Sequence, residues 1–113
     1  QPEAALRLLR EMPEVGLRPD EVSYTATISA CAKEAWWETA LDLLAEMKTR
    51  SITPSVASYT AVIDTCARGK RCDHVFRLLD EMVAAKREPN VITFNAALLA
   101  LALSEDPQSW QRA

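Results

Sequence analysis

Apolar residues recur along this chain at helical spacing, in short blocks separated by polar breaks. Tyr24, Ile28 and Cys31 stand at i, i+4 and i+7, as do Tyr59, Ile63 and Cys66. Each set draws a single apolar stripe along a short helix. A second stripe follows at Ala40, Leu43, Leu44 and Met47, and again at Val75, Leu78, Leu79 and Met82. The breaks are of two kinds. "KEAWWE" and "RGKRCD" divide one stripe from the next, the latter interrupted by Gly69. "RPD", "TPS" and "EPN" place a proline, which cannot continue a helix, before a residue suited to cap the next one. No window alternates with period two, so no strand is predicted.

The blocks repeat. "SYTATISACAK" at 23–33 returns as "SYTAVIDTCAR" at 58–68, an interval of 35 residues. Leu8, Leu9, Glu11 and Met12 recur as Leu43, Leu44, Glu46 and Met47, then as Leu78, Leu79, Glu81 and Met82. Pro19, Pro54 and Pro89 keep the same interval, followed by Asp20, Ser55 and Asn90. "VITFNAALLALAL" opens a further copy, with Phe94 where the tyrosine stood. The chain therefore divides into 1–20, the second helix and end of a truncated unit; two complete units, 21–55 and 56–90; and 91–113, the start of another. A two-helix unit cannot bury its apolar faces alone, whereas stacking on its neighbours does so. The expected fold is all-α, a solenoid of antiparallel helix–turn–helix units. About three units are needed for independent stability. The chain starts and stops inside second helices without visible capping helices. It reads as a piece of a longer array flanked by further repeats, or as a module stabilised by a partner.

Composition narrows the reading. With 113 residues, 49% hydrophobic and 26% charged, the chain resembles one ordinary globular segment. Its longest apolar runs fall far short of the roughly 18–20 residues that cross a bilayer. A net charge of −3 counts against nucleic-acid binding, although local placement of charge matters more than the sum. Three cysteines in a helical array suit a reducing compartment. Cys31 and Cys66 fall on the inner stripes, where a small soft side chain packs well. Cys66, Cys72 and His74 form C-x5-C-x-H, which matches no zinc spacing and has no fourth ligand nearby. No metal or other cofactor is expected. The two glycines make no phosphate loop, and His74 has no nucleophile paired with it. The recurring Glu11, Glu46 and Glu81 suit solvated helix charge or pairs with basic neighbours. The chain reads as a non-enzyme.

The 35-residue period, the tyrosine at the fourth position, the late "EM" and the "xP[D/S/N]" ending together resemble the pentatricopeptide repeat over essentially the whole chain. It lacks the Leu-Gly signature of the 34-residue tetratricopeptide repeat. The resemblance implies an α-solenoid whose first helices line a groove for single-stranded RNA, an organellar transcript in mitochondria or chloroplasts, read at about one base per repeat. The family's readers are the second, fifth and last residues of each unit. They correspond here to Val22, Thr25 and Ser55, to Ala57, Thr60 and Asn90, and, in the incomplete unit, to Ile92 and Asn95. The pair Thr60 and Asn90 implies adenine; Thr25 with Ser55 implies only a weak purine preference. Lys33 and Arg68 match the positions where the family sets a basic residue toward the phosphates, while Leu103 departs from that pattern.

Each of these residues also has a plain structural role. Asp20, Ser55 and Asn90 are good helix caps, Thr25 and Thr60 suit a helix start, and Lys33 and Arg68 suit a helix C-terminus. Two complete units would offer about two bases' worth of stacking at roughly 1–3 kcal/mol each, against an association cost of at least about 4 kcal/mol. Specific binding would thus need further repeats. The other reading is a structural or adaptor solenoid among protein subunits of an organellar complex. The acidic balance, the small Ala57 and the Thr25/Ser55 pair lean that way. So do Trp36 and Trp37, whose rings cannot both face one core; the expectation is one ring packed and one exposed to a protein partner.

Overall fold

The computed structural model describes residues 2–103. These form six α-helices: α1 (Pro2–Glu11), α2 (Glu21–Ala32), α3 (Trp37–Thr49), α4 (Val56–Arg68), α5 (Cys72–Ala84) and α6 (Val91–Leu103). A short 3-10 turn, Pro13–Val15, follows α1. Among the described residues there is no strand, and no helix is long and apolar enough to cross a membrane.

The first helix of each unit starts on a reciprocal cap. The Asp20 side chain accepts from the Ser23 N–H while the Ser23 hydroxyl accepts from the Asp20 N–H. Ser55 and Ser58 make the same exchange at α4, and Asn90 and Thr93 at α6. This two-way cap satisfies two backbone donors that a helix start leaves open. Helix ends are equally regular. The Leu17, Ile52 and Arg87 N–H groups each donate to a methionine carbonyl five residues back, at 2.8 Å. This closure needs a left-handed residue just before the donor: Gly16 (φ 81°), Ser51 (φ 61°) and Lys86 (φ 62°) fill that role. Ala35 and Lys70 do the same between the helices of a unit. Side chains other than glycine lose about 1 kcal/mol or more in this conformation. Ser51→Gly and Lys86→Gly should therefore each stabilise the chain by about 0.5–1 kcal/mol, after the greater freedom of glycine in the unfolded state is allowed for. An unchanged urea midpoint in both variants would refute this.

Packing gives the stack its shape. Helices α2, α4 and α6 lie side by side as one closely packed layer, while α1, α3 and α5 pack onto that layer. Helix α4 is central and touches α2, α3, α5 and α6. Its Tyr59, Val62, Ile63, Cys66 and Ala67 are buried together with Tyr24, Ile28, Leu43, Met47, Val75 and Met82. The stripes foreseen from spacing are the core. Burial pushes the Cys66 thiol up to about 12 and raises that of Cys31, so both stay protonated and act as small apolar groups. Phe94 is 54% exposed, although its equivalents Tyr24 and Tyr59 are buried. No second helix of its own unit covers it among the described residues.

Two of the recurring glutamates, Glu46 and Glu81, join neighbouring units. Glu46 accepts from the Tyr24 hydroxyl at 2.5 Å and from Arg10 Nη1 of the preceding unit at 2.6 Å. The Arg10 hydrogen bond holds the Glu46 carboxyl below the usual range. Burial, with Glu46 beside it, pushes the Tyr24 hydroxyl up to about 12. Glu81 repeats the arrangement with Tyr59 (3.5 Å) and an ion pair to Lys48. Each glutamate thus ties its own unit's tyrosine to the second helix of the unit before.

Candidate nucleic-acid interface

The layer of first helices carries a groove of about 670 Å³. Helix α4 presents Ala57, Thr60, Ala61 and Asp64 to it, and α6 presents Ile92, Asn95, Ala96 and Leu99. Both sets follow i, i+3, i+4, i+7 and so form one face of each helix. Thr25 and Ser29 of α2 close one side; Asn90 and Val56 sit at helix starts. Thr25, Ala57, Thr60, Asn90, Ile92 and Asn95 were all singled out from the sequence, and they share this one groove. Val22 lies outside its lining and is 68% exposed, while Ser55 is engaged as the α4 cap. The lining residues not foreseen, such as Ser29 and Asp64, were recoverable from the helical period counted forward from the fifth residue.

The hydroxyls are tightly partnered. Thr60 Oγ1 lies 2.9 Å from Thr93 Oγ1, and Thr93 donates to Asn90 Oδ1 at 3.0 Å. Thr25 donates to Glu21 Oε2 at 2.7 Å and lies 2.7 Å from Ser58 Oγ. Helix α2 therefore brings a carboxylate to its slot, where α4 has Val56. Lys33 is exposed at the end of α2. Arg68, its equivalent, donates through Nε to Asp64 Oδ2 at 3.1 Å and is half-exposed. The two basic positions therefore differ: one cation stands beside Ser29, the other is paired with a groove carboxylate. The Leu103 side chain lies outside the described residues.

The tryptophans depart from expectation. Both rings are half-buried against the core, so neither is left as a bare aromatic surface. Trp37 is taken up by the following unit. The Arg71 guanidinium sits 4.5 Å over its ring, and the His74 ring stacks at 5.3 Å and 28°. A flat cation on an aromatic face is favourable, the more so when partly desolvated. The Cys72 thiol donates to the Ala100 carbonyl at 3.1 Å, and Cys66 is buried. Among the described residues no group of three or more His, Cys, Asp or Glu is placed to hold a metal ion.

A model of the pentatricopeptide repeat domain matches residues 7–68 and again residues 42–103, the second match displaced by one repeat. This chain belongs to the pentatricopeptide repeat family. Among solved structures it is similar to the pentatricopeptide repeat protein PPR10 in complex with an 18-nt psaJ RNA element, at 33% identity and a TM-score of 0.78 over 92% of the chain. A form of that protein with three cysteine-to-serine changes, bound to the same element, matches equally well. The chain spans 16% of the length of PPR10 in that structure. No curated protein matches the chain. The architecture described above is thus a pentatricopeptide α-solenoid, with α2, α4 and α6 as the first helices of successive repeats.

Proposed function

We propose that this chain is the RNA-binding part of a pentatricopeptide array that takes single-stranded RNA along the groove of its first helices, about one base per repeat. It acts by binding, not by catalysis. The observation that carries this reading is the convergence of Thr25, Ala57, Thr60, Asn90, Ile92 and Asn95 on one groove. Ala57 and Ile92 supply apolar contact for a base face. Thr60 and Asn90 supply a hydroxyl and an amide for its edge. Adenine is the base proposed for the repeat 56–90, and an organellar transcript is the proposed target; both rest on family resemblance. The scaffold reading rests on the acidic balance, Ala57, the Thr25/Ser55 pair and Leu103, with Trp36 and Trp37 contributing less because both are half-buried.

The test is selection from a random single-stranded RNA pool, beside the double variant Thr60→Asn with Asn90→Asp. One selected position should favour adenine in the parent and move toward uracil in the variant, with preferences at other positions unchanged. Binding that is weak, salt-sensitive and indifferent to sequence in both would refute base reading and leave only contacts to phosphate.

A further inference from the structure

The third residue of each repeat is absent from the reading pair, yet it touches both members of the pair belonging to the repeat before it. Thr93, third in its unit, lies 2.9 Å from Thr60 and within hydrogen-bond reach of Asn90. Thr93 is itself fully buried, so it cannot touch a base. The polarity of every group here follows from one fixed donor. The Thr93 backbone N–H, which can only donate, faces the Asn90 side chain at 3.0 Å. The atom facing it is therefore the carbonyl Oδ1. The Thr93 hydroxyl, also 3.0 Å from that oxygen, must donate to it. Its single proton is then committed, so Thr60 must donate across the 2.9 Å contact. The Asn90 N–H, at 3.3 Å, gives Thr93 Oγ1 a second incoming donor. Thr93 Oγ1 is thus saturated, with two bonds accepted and one donated.

We infer that Thr93 is a positioning residue for base recognition: its hydroxyl fixes Thr60 as an acceptor and Asn90 as a donor toward the groove. Left to itself, a threonine hydroxyl can rotate to donate or accept, and an asparagine amide can turn either end outward. Such a pair would suit several base edges. With both oxygens of Asn90 and Thr93 satisfied inside the protein, Asn90 has only its amide N–H groups to offer, and Thr60 only lone pairs. One donor beside one acceptor in a set order discriminates; two switchable groups do not. Ser58 makes the corresponding bridge between Thr25 (2.7 Å) and Ser55 (3.2 Å). There Glu21 accepts from Thr25 at 2.7 Å and from Ser58 at 3.4 Å, so the protons are drawn to a carboxylate. The clean relay is that of Thr93.

This inference rests on the RNA-reading role proposed above, and the test separates the two. The 113-residue chain is titrated, by NMR, with pentaribonucleotides of uridine carrying each of the four bases at the centre. Thr93→Val removes the hydroxyl at nearly constant volume, Thr93→Ser keeps it, and Thr93→Cys weakens it with little change in size. Preference for the adenine-centred oligomer should fall about fivefold in Thr93→Val, the scale of one neutral hydrogen bond. It should fall less in Thr93→Cys and stay intact in Thr93→Ser, with affinity for the disfavoured oligomers kept or raised in all three. An equal loss for all four oligomers would reduce Thr93 to a helix cap. A preference unchanged in Thr93→Val and Thr93→Cys would overturn the inference while leaving RNA reading standing. Equal binding of all four oligomers by the parent chain, with the same residues perturbed by each, would overturn both.

Discussion

Replacing Ile63 by alanine is expected to lower the stability of the chain by about 2–5 kcal/mol. Ile63 is fully buried on α4, the helix that meets α2, α3, α5 and α6. Truncation removes apolar contacts and leaves a cavity in the element least able to collapse, because four neighbours hold it in place. The useful comparison is Ile92→Ala. Ile92 is 65% exposed on the groove, so its truncation should change stability by less than about 0.5 kcal/mol. Urea denaturation monitored by circular dichroism measures both. If Ile63→Ala costs no more than Ile92→Ala, the single core centred on α4 is wrong.

The second large effect is expected at Gly69. Its φ of −86° is open to any residue, so backbone freedom does not explain it. Space does: a Cβ there would lie 2.5 Å from Trp37 Cδ1 and 3.2 Å from Cγ. These are atoms at the root of a stiff ring that also carries Arg71 and His74 on its surface. Gly69→Ala must push the indole out of that stack, at a cost of about 1–3 kcal/mol. A smaller side chain at position 37 should rescue it. In the double variant Gly69→Ala with Trp37→Leu, the alanine should add almost nothing to the loss caused by Trp37→Leu alone. Additive losses in that cycle would show that Gly69 and Trp37 are not coupled.

Gly69 also marks where reading the chain alone stops short. A glycine between two helical stripes signals a helix end, and α4 does end there. The residue that takes the left-handed turn is Lys70, however, as Ala35 does one repeat earlier. Neither residue type announces that conformation; the repeat imposes it through the bonds that close each helix. Helices, breaks and buried stripes were legible because they depend on local period and on proline. The groove face of α4 was legible for the same reason, once Thr60 marked it. Contacts between repeats were not. That Trp37 would lie under Arg71, and that Ser58 would reach Thr25 and Glu21, depends on how one unit sits against the next. The unequal pairing of Arg68 and Lys33 is local to each helix and was open to reading at i, i+4 spacing. Lys33 and Arg68 look equivalent in the alignment of the two repeats. The difference lies one turn upstream, at Ser29 and Asp64.

The unequal joining of the two helix layers has a mechanical consequence. The first helices meet along their length through buried side chains, whereas successive second helices are linked at fewer points, by the ion pairs Arg10–Glu46 and Lys48–Glu81 and by the stack of Trp37 on His74. Packed apolar surfaces resist separation over fractions of an ångström, while solvated ion pairs yield gradually and weaken as salt rises. An array built from such units is expected to be stiffer along its first helices than along its second. Bending that opens the second-helix side would then leave the groove between α4 and α6 almost unchanged.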